Sequence, residues 1–137
     1  MTKKIALVAH DNMKPQLVEF MKEREDWFWG RELVATGQTG EFLEKGELKI
    51  SLTRLLPGNQ GGYTQMTALV ANGEVEIAFF LRDPEIVQDY EDEVADFIRE
   101  CNRKNVPLAT NPASAELLII GLIRKEAAEK ARDRMHS

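Results

Sequence analysis

The sequence predicts an α/β fold three layers deep: a doubly wound, mainly parallel sheet of five strands with helices on both faces. Three observations carry that expectation. Short apolar runs, at residues 5–9 and again at Val75–Leu81, lack polar alternation and read as strands buried on both faces. Between such runs, apolar residues recur at the three- and four-residue spacing of helices packed along one stripe. The two kinds of segment alternate with short connections, which is the order of a parallel βαβ sheet.

The first strand, at residues 5–9, stops sharply at His10 and Asp11. Pro15 stands where a helix starts, and Leu17, Phe20 and Met21 follow at helical spacing. Residues 26–30 close that segment, and Trp27, Phe28 and Trp29 are expected to cover the end of the core. Residues 32–35 form a second strand leading through Thr36, Gly37, Gln38, Thr39 and Gly40 into a short helix with Phe42 and Leu43. Leu48, Ile50 and Leu52 alternate with Lys49, Ser51 and Thr53, a period of two that predicts a half-exposed edge strand. After a glycine-containing loop at 57–62, Met66, Leu69 and Val70 mark a helix ended by Asn72 and Gly73.

Val75–Leu81 is the most apolar run and is expected to be a central strand, stopped by Asp83 and Pro84. Val94, Phe97, Ile98 and Cys101 define an amphipathic helix closed before Pro107. Cys101 lies on its apolar stripe, where a buried structural thiol is expected rather than a nucleophile. Residues 108–110 make a last short strand, and a final helix is expected to begin near Ala113 and Ser114. From Arg124 the chain is charged and alanine-rich, with Glu126 and Lys130 one turn apart, as in a solvated helix or a fraying tail. The expected plan is one domain over residues 1–123 and a charged segment over 124–137.

Length and charge bound the function. The 137 residues suit one compact domain with a real core. A formal charge of -5, with no Lys/Arg stripe, argues against nucleic acid as a partner. A single cysteine cannot form an internal disulfide, so no oxidising compartment is required. No apolar run approaches a membrane span and no signal-like core precedes a cleavage site, so the expectation is a cytoplasmic protein.

In such a sheet, ligands bind outside the carboxyl ends of the strands. That rule selects His10 with Asp11, residues 36–40, residues 57–63, residues 82–84, and Thr110 with Asn111. The Thr-Gly-x-Thr-Gly turn at 36–40 offers two hydroxyls, permissive glycines and free amides at a helix start, which favours an anion, phosphate above all. Lys14 adds a positive charge from the loop after the first strand. No Walker loop, GxGxxG fingerprint or metal-ligand cluster is present, and the other histidine, His136, lies in the tail.

At these residues the chain resembles the methylglyoxal synthase family. The matching segments, in order, are IALVAHD followed by Lys14, VATGQTG, the GxxGG of residues 58–62, FFLRDP, and VPLATNPASAELLI. The resemblance runs from about residue 5 to residue 120. It implies that family's fold and its reaction, dihydroxyacetone phosphate to methylglyoxal and inorganic phosphate, without cofactor or metal. A carboxylate removes the proton beside the carbonyl, and the enediolate expels phosphate. By resemblance, His10 and Asp11 match the family His-Asp pair, Lys14 the phosphate-contacting lysine, and Thr36 and Thr39 the phosphate-loop threonines. Gln38 replaces a further threonine, Gly58 matches the loop glycine, and Asp83 the aspartate of the Asp-Pro turn. Gly61 and Gly62 match a Gly-Gly pair. A hexamer is also implied.

Departures fall on the chemistry. Where the resemblance places the family's base, an Asp after Gly-Gly, this chain has Tyr63. Where it places a catalytic His and, three residues later, a second Asp, counting from Pro84 gives Tyr90 and Glu93. No segment matches the strand carrying the family's C-terminal phosphate-site arginine, so Arg124, Arg132 and Arg134 all stay open as replacements. A phenol near pKa 10 is protonated at neutral pH and cannot serve as a carboxylate base. Three readings compete: a pocket for a small phosphorylated metabolite with weak or lost synthase turnover; a working synthase using Glu93 or Asp11 as base; and a non-catalytic interaction module meeting a partner through Trp27 and Trp29 or the tail.

Overall fold

The computed structural model describes residues 3–136; the outer ends of the two expected segments, Met1, Thr2 and Ser137, lie outside them. Five parallel strands form one sheet in the order β3-β2-β1-β4-β5. They are β1 (Lys4–Ala9), β2 (Leu33–Ala35), β3 (Leu52–Arg54), β4 (Val75–Leu81) and β5 (Leu108–Ala109). The helices are α1 (Lys14–Lys22), α2 (Glu25–Phe28), α3 (Gly37–Lys45), α4 (Gly62–Ala71), α5 (Glu91–Arg103) and α6 (Pro112–Met135). The doubly wound expectation is met, and the sheet is parallel throughout.

The unbroken apolar runs feed two cores because successive strand residues point to opposite faces. Ile5, Leu7 and Ala9 of β1, with Ile77, Phe79 and Leu81 of β4, pack against Leu17, Phe20 and Met21 of α1, Leu43 of α3 and Ile119 of α6. Ala6 and Val8, with Ala78 and Phe80, meet Met66 and Val70 of α4 and Val94, Phe97 and Cys101 of α5. The thiol of Cys101 is buried, and that burial pushes its pKa up to about 11, so it is inert at neutral pH.

The alternating segment at 48–53 is corrected in part. Only Leu52–Arg54 is strand, at the sheet edge as expected. Leu48 and Ile50 still turn inward against the core without pairing. The aromatic cluster also divides: Phe28 is fully buried and Trp27 packs on the core, but Trp29 is 67% exposed. The last helix starts at Pro112, with the Asn111 side chain accepting from the Ser114 amide, and runs unbroken to Met135. Glu126 in it accepts from the Trp27 indole N–H at 3.0 Å and from both terminal nitrogens of Arg31 at 2.8 and 2.9 Å.

From β1 the chain winds to β2 and β3 on one side, then returns to β4 and β5 on the other. The reversal lies between β1 and β4, where the carboxyl ends of adjacent strands open a crevice.

Candidate functional site

A cavity of about 610 Å³ opens there, lined from the ends of β1 and β2, the loop after β3 and the loop after β4. Its cationic end is Lys14, buried in the first turn of α1 and ion-paired with Asp11. Beside it, Thr36, Gln38 and Thr39 line the start of α3. The Thr36 side chain does not cap that helix, and the Gly37 amide is taken by the Leu56 carbonyl at 3.0 Å, so the amides of Gln38 and Thr39 are the ones this turn can offer an anion.

The Thr39 hydroxyl is a strut. It accepts from the Ala9 amide at 3.2 Å and the Thr36 hydroxyl at 3.2 Å, and donates to the Ala9 carbonyl at 3.3 Å. It thereby ties the ends of β1 and β2 together. The glycines of this turn are not there for conformational freedom. Both are helical, and a Cβ on Gly37 would stand 2.9 Å from the Leu55 carbonyl oxygen, one on Gly40 2.5 Å from the Arg54 side chain. The backbone of the loop after β3 demands the first, whereas at the second only the side chains of Arg54 and Leu52 would have to shift.

His10 directly follows β1, with 3% of its surface exposed. Its Nδ1 accepts the Asp83 backbone N–H at 2.8 Å, so the ring proton of the neutral form is on Nε2. Burial, and secondarily the Arg82 guanidinium, lower its pKa and hold it neutral at pH 7. Asp83 itself is occupied: one carboxylate oxygen accepts from Asn12 at 2.9 Å, the other from the Glu85 amide at 2.9 Å. Its carboxylate organises the Asp-Pro turn, whose backbone then orients His10.

The far wall is aromatic. Tyr63, in the first turn of α4, is 3% exposed, and its ring lies 5.5 Å from that of Tyr90 at an interplanar angle of 33°. Gly58 makes room for both: a Cβ there would meet the Tyr63 ring at 2.8 Å and the Tyr90 ring at 3.4 Å. Gly61 turns the chain at φ +99°, and a Cβ on Gly62 would lie 2.1 Å from the Leu56 carbonyl oxygen. Burial, and then the neighbouring Tyr90, raise the Tyr63 pKa well above that of a free phenol, so its hydroxyl stays a donor.

Comparisons with known proteins give this geometry its relatives. A family model described as the MGS-like domain matches residues 16–110. A methylglyoxal synthase of Cupriavidus taiwanensis is 43% identical over 128 residues, covering 93% of this chain and 96% of that protein. Another, of Moorella thermoacetica, is 44% identical over 117 residues, covering 85% and 90%. The chain belongs to the MGS-like family. A crystal structure of methylglyoxal synthase from Elizabethkingia anophelis superposes with a TM-score of 0.77 at 34% identity, covering 85% of this chain and 76% of that one.

Of the MGS-like site residues singled out by sequence, His10, Asp11, Lys14, Thr36, Gln38, Thr39, Gly58, Tyr63 and Tyr90 line one cavity. Gly37, Gly61, Gly62 and Asp83 are not in that lining; Gly37 and Gly62 lie against the backbone of the loop after β3, and Asp83 acts through its amide on the His10 ring. Glu93, on the first turn of α5, is not in its lining, and neither are the exposed Arg124, Arg132 and Arg134. Sequence reasoning missed Asn59 as an individual, and it missed Gln88 and Asp89 altogether. Residues 85–90 carry no periodicity, but they follow a strand's carboxyl end, and the strand-end rule extended along the loop would have found them. No helix among the described residues is long and apolar enough to cross a membrane.

Proposed function

We propose that this MGS-like protein binds a small phosphorylated metabolite in the β1/β4 crevice and that its synthase turnover is weak or absent. The observation that carries this reading is one cavity holding Lys14, Thr36, Gln38 and Thr39 at one end and the tilted ring pair of Tyr63 and Tyr90 at the other. The first group suits a phosphate, through one cation, hydroxyls and helix-start amides. The second replaces the carboxylate and imidazole that the family resemblance assigns to proton abstraction and carbonyl polarisation. Loss of a positioned general base alone costs about 10²–10⁴-fold in rate. The reading includes a cytoplasmic homo-oligomer, a hexamer by resemblance, that needs no cofactor.

A working synthase using Asp11 or Glu93 is the second reading. Asp11 lines the cavity but is ion-paired with Lys14, and Glu93 lies outside the lining. The test is methylglyoxal release from dihydroxyacetone phosphate by the native protein and by Tyr63→Asp. Silence from the native protein with a signal from Tyr63→Asp is the expected outcome. Native turnover at the rate of a methylglyoxal synthase would overturn the reading and make Asp11→Asn the next variant.

A further inference from the structure

The segment that follows β4, residues 84–90, is tied down at its two ends. At one end the Asp83 carboxylate accepts from Asn12, and the Asp83 amide donates to His10. At the other, Glu91 accepts from the Gln88 amide at 3.0 Å with one oxygen and from Arg82 at 3.2 Å with the other. Among the described residues, 85–90 hydrogen-bond only to Asp83, Glu91, Glu93 and Val94 or to one another, all within the same stretch of chain. Val87, in the middle, is 85% exposed. The ring contact of this segment to the body of the domain is Tyr90 on Tyr63.

This strap has open space on two sides. Gln88, Asp89 and Tyr90 line the main cavity. Arg82, Asp83, Pro84 and Ile86 border a second hollow of about 390 Å³, shared with Thr110 and Asn111 just past the end of β5. Protein interiors are otherwise close-packed, so a segment bordering such a hollow has room to move without displacing core side chains. The tie at its far end is built to yield. The side chains of Arg82 and Glu91 are each 30% exposed, and an ion pair that solvent reaches is weak. Arg82 itself is steadied, with its guanidinium 5.4 Å from the centre of the buried Phe80 ring, so Glu91 has a fixed post to return to. Asp89 supplies a reason to open. It puts an exposed carboxylate in the lining of a cavity whose other end, at Lys14, attracts anions.

We propose that residues 84–90 are a strap that gates the crevice, and that Arg82, acting through Glu91, is the positioning residue that latches it shut. Swung toward β5, the strap clears Asp89 and Tyr90 from the path of an incoming anion. Latched, it closes the far wall over the bound one. This rests on the proposed phosphate-binding role of the cavity and adds its regulation.

The test uses the full chain with inorganic phosphate as the probe. Phosphorus NMR line widths give the exchange rates, and amide hydrogen exchange is read at Gln88, whose N–H donates to Glu91. In Arg82→Met and in Glu91→Gln, phosphate association and dissociation are both expected to rise about two- to fivefold, the range an exposed ion pair supports, while their ratio changes less. A residue that merely supported the fold would weaken affinity through dissociation alone. The double variant is expected to match the single ones, because each breaks the same contact. Arg82→Lys, which keeps the charge, is expected to stay near the native rates. In Arg82→Met the Gln88 amide is expected to exchange faster although its acceptor is intact, and saturating phosphate is expected to slow it in the native protein. Should Arg82→Met fail to fold, the rates of Glu91→Gln and the effect of phosphate on native Gln88 exchange decide the matter. Native rates in the variants, or a Gln88 amide indifferent to phosphate, overturn the gate and leave the phosphate pocket standing. Phosphate that does not bind the native protein overturns the pocket, and the gate with it.

Discussion

The His10 ring is oriented by a backbone amide, and that amide is held in turn by the Asn12–Asp83–Glu85 turn. Protonating Nδ1 would break this bond and charge a buried ring. Burial and Arg82 oppose the charge more strongly than Glu91 and the Asp83 carboxylate favour it, so the native pKa is below the ordinary value. The unfolded chain, with His10 near pKa 6.5, therefore binds the proton more tightly, and stability rises with pH across the interval below about 6.5. Above that value both states are neutral and the effect levels off. Denaturant midpoints between pH 5 and 7.5 are expected to climb and then flatten, and His10→Gln is expected to remove that step. A step that survives the substitution would belong to another group. Much of this site was legible residue by residue: His10, Asp11 and Thr36 follow strand ends, and Lys14 and Thr39 open the helices that come next, where a one-dimensional rule finds them. The role of Asp83 was not, because a side chain bonding a backbone amide 73 residues away leaves no sequence pattern.

At the scale of elements, α6 is fastened far beyond the region that closes the core. Its buried residues, Ala115 and Ile119, lie in its first turns. Glu126, two turns further on, is gripped by Arg31 and Trp27, with the Arg31 guanidinium 3.8 Å over the Trp27 ring. Burial raises the Glu126 pKa, but the hydrogen bonds from Arg31 and Trp27 outweigh it and keep the carboxyl ionised. Glu126→Ala is expected to cost about 1–2 kcal/mol, as for hydrogen bonds to a charged group that is partly exposed. Hydrogen exchange in residues 124–135 should accelerate more than in β1 or β4, and uniform acceleration would mean that the clasp supports the whole core. Helix period and strand composition made most elements readable, Val75–Leu81 and Glu91–Arg103 above all. The 48–53 segment misled because alternation reports which side is buried, and a loop laid over a core alternates as well as a paired strand does. The Glu126 partner was unreadable for a related reason: its own helix offers Lys130, while the residue it bonds is 95 positions earlier.

At the scale of the whole molecule, the candidate site lies at a seam between two cores that share one sheet, with α1 and α3 on one side and α4 and α5 on the other. Anything bound across that seam contacts residues from β1, β2, the loop after β3 and the loop after β4 at once, which the unfolded chain cannot offer. Binding is then a stabilising term for the entire fold. At a phosphate concentration 100 times its dissociation constant the gain is about 2.7 kcal/mol. For a domain of this length that corresponds to a rise of about 8 °C in Tm. Lys14→Ala removes the single cation of the lining, so the rise should disappear in that variant at the same phosphate concentration. Arg99→Ala, which breaks an exposed pair with Asp96 on α5, should keep it. The two variants separate a site from a general salt effect, because excluded-ion stabilisation acts on burial as a whole and is blind to one lysine. A rise that persists in Lys14→Ala would move the anion away from the β1/β4 crevice and leave the crevice without a charge to recognise phosphate.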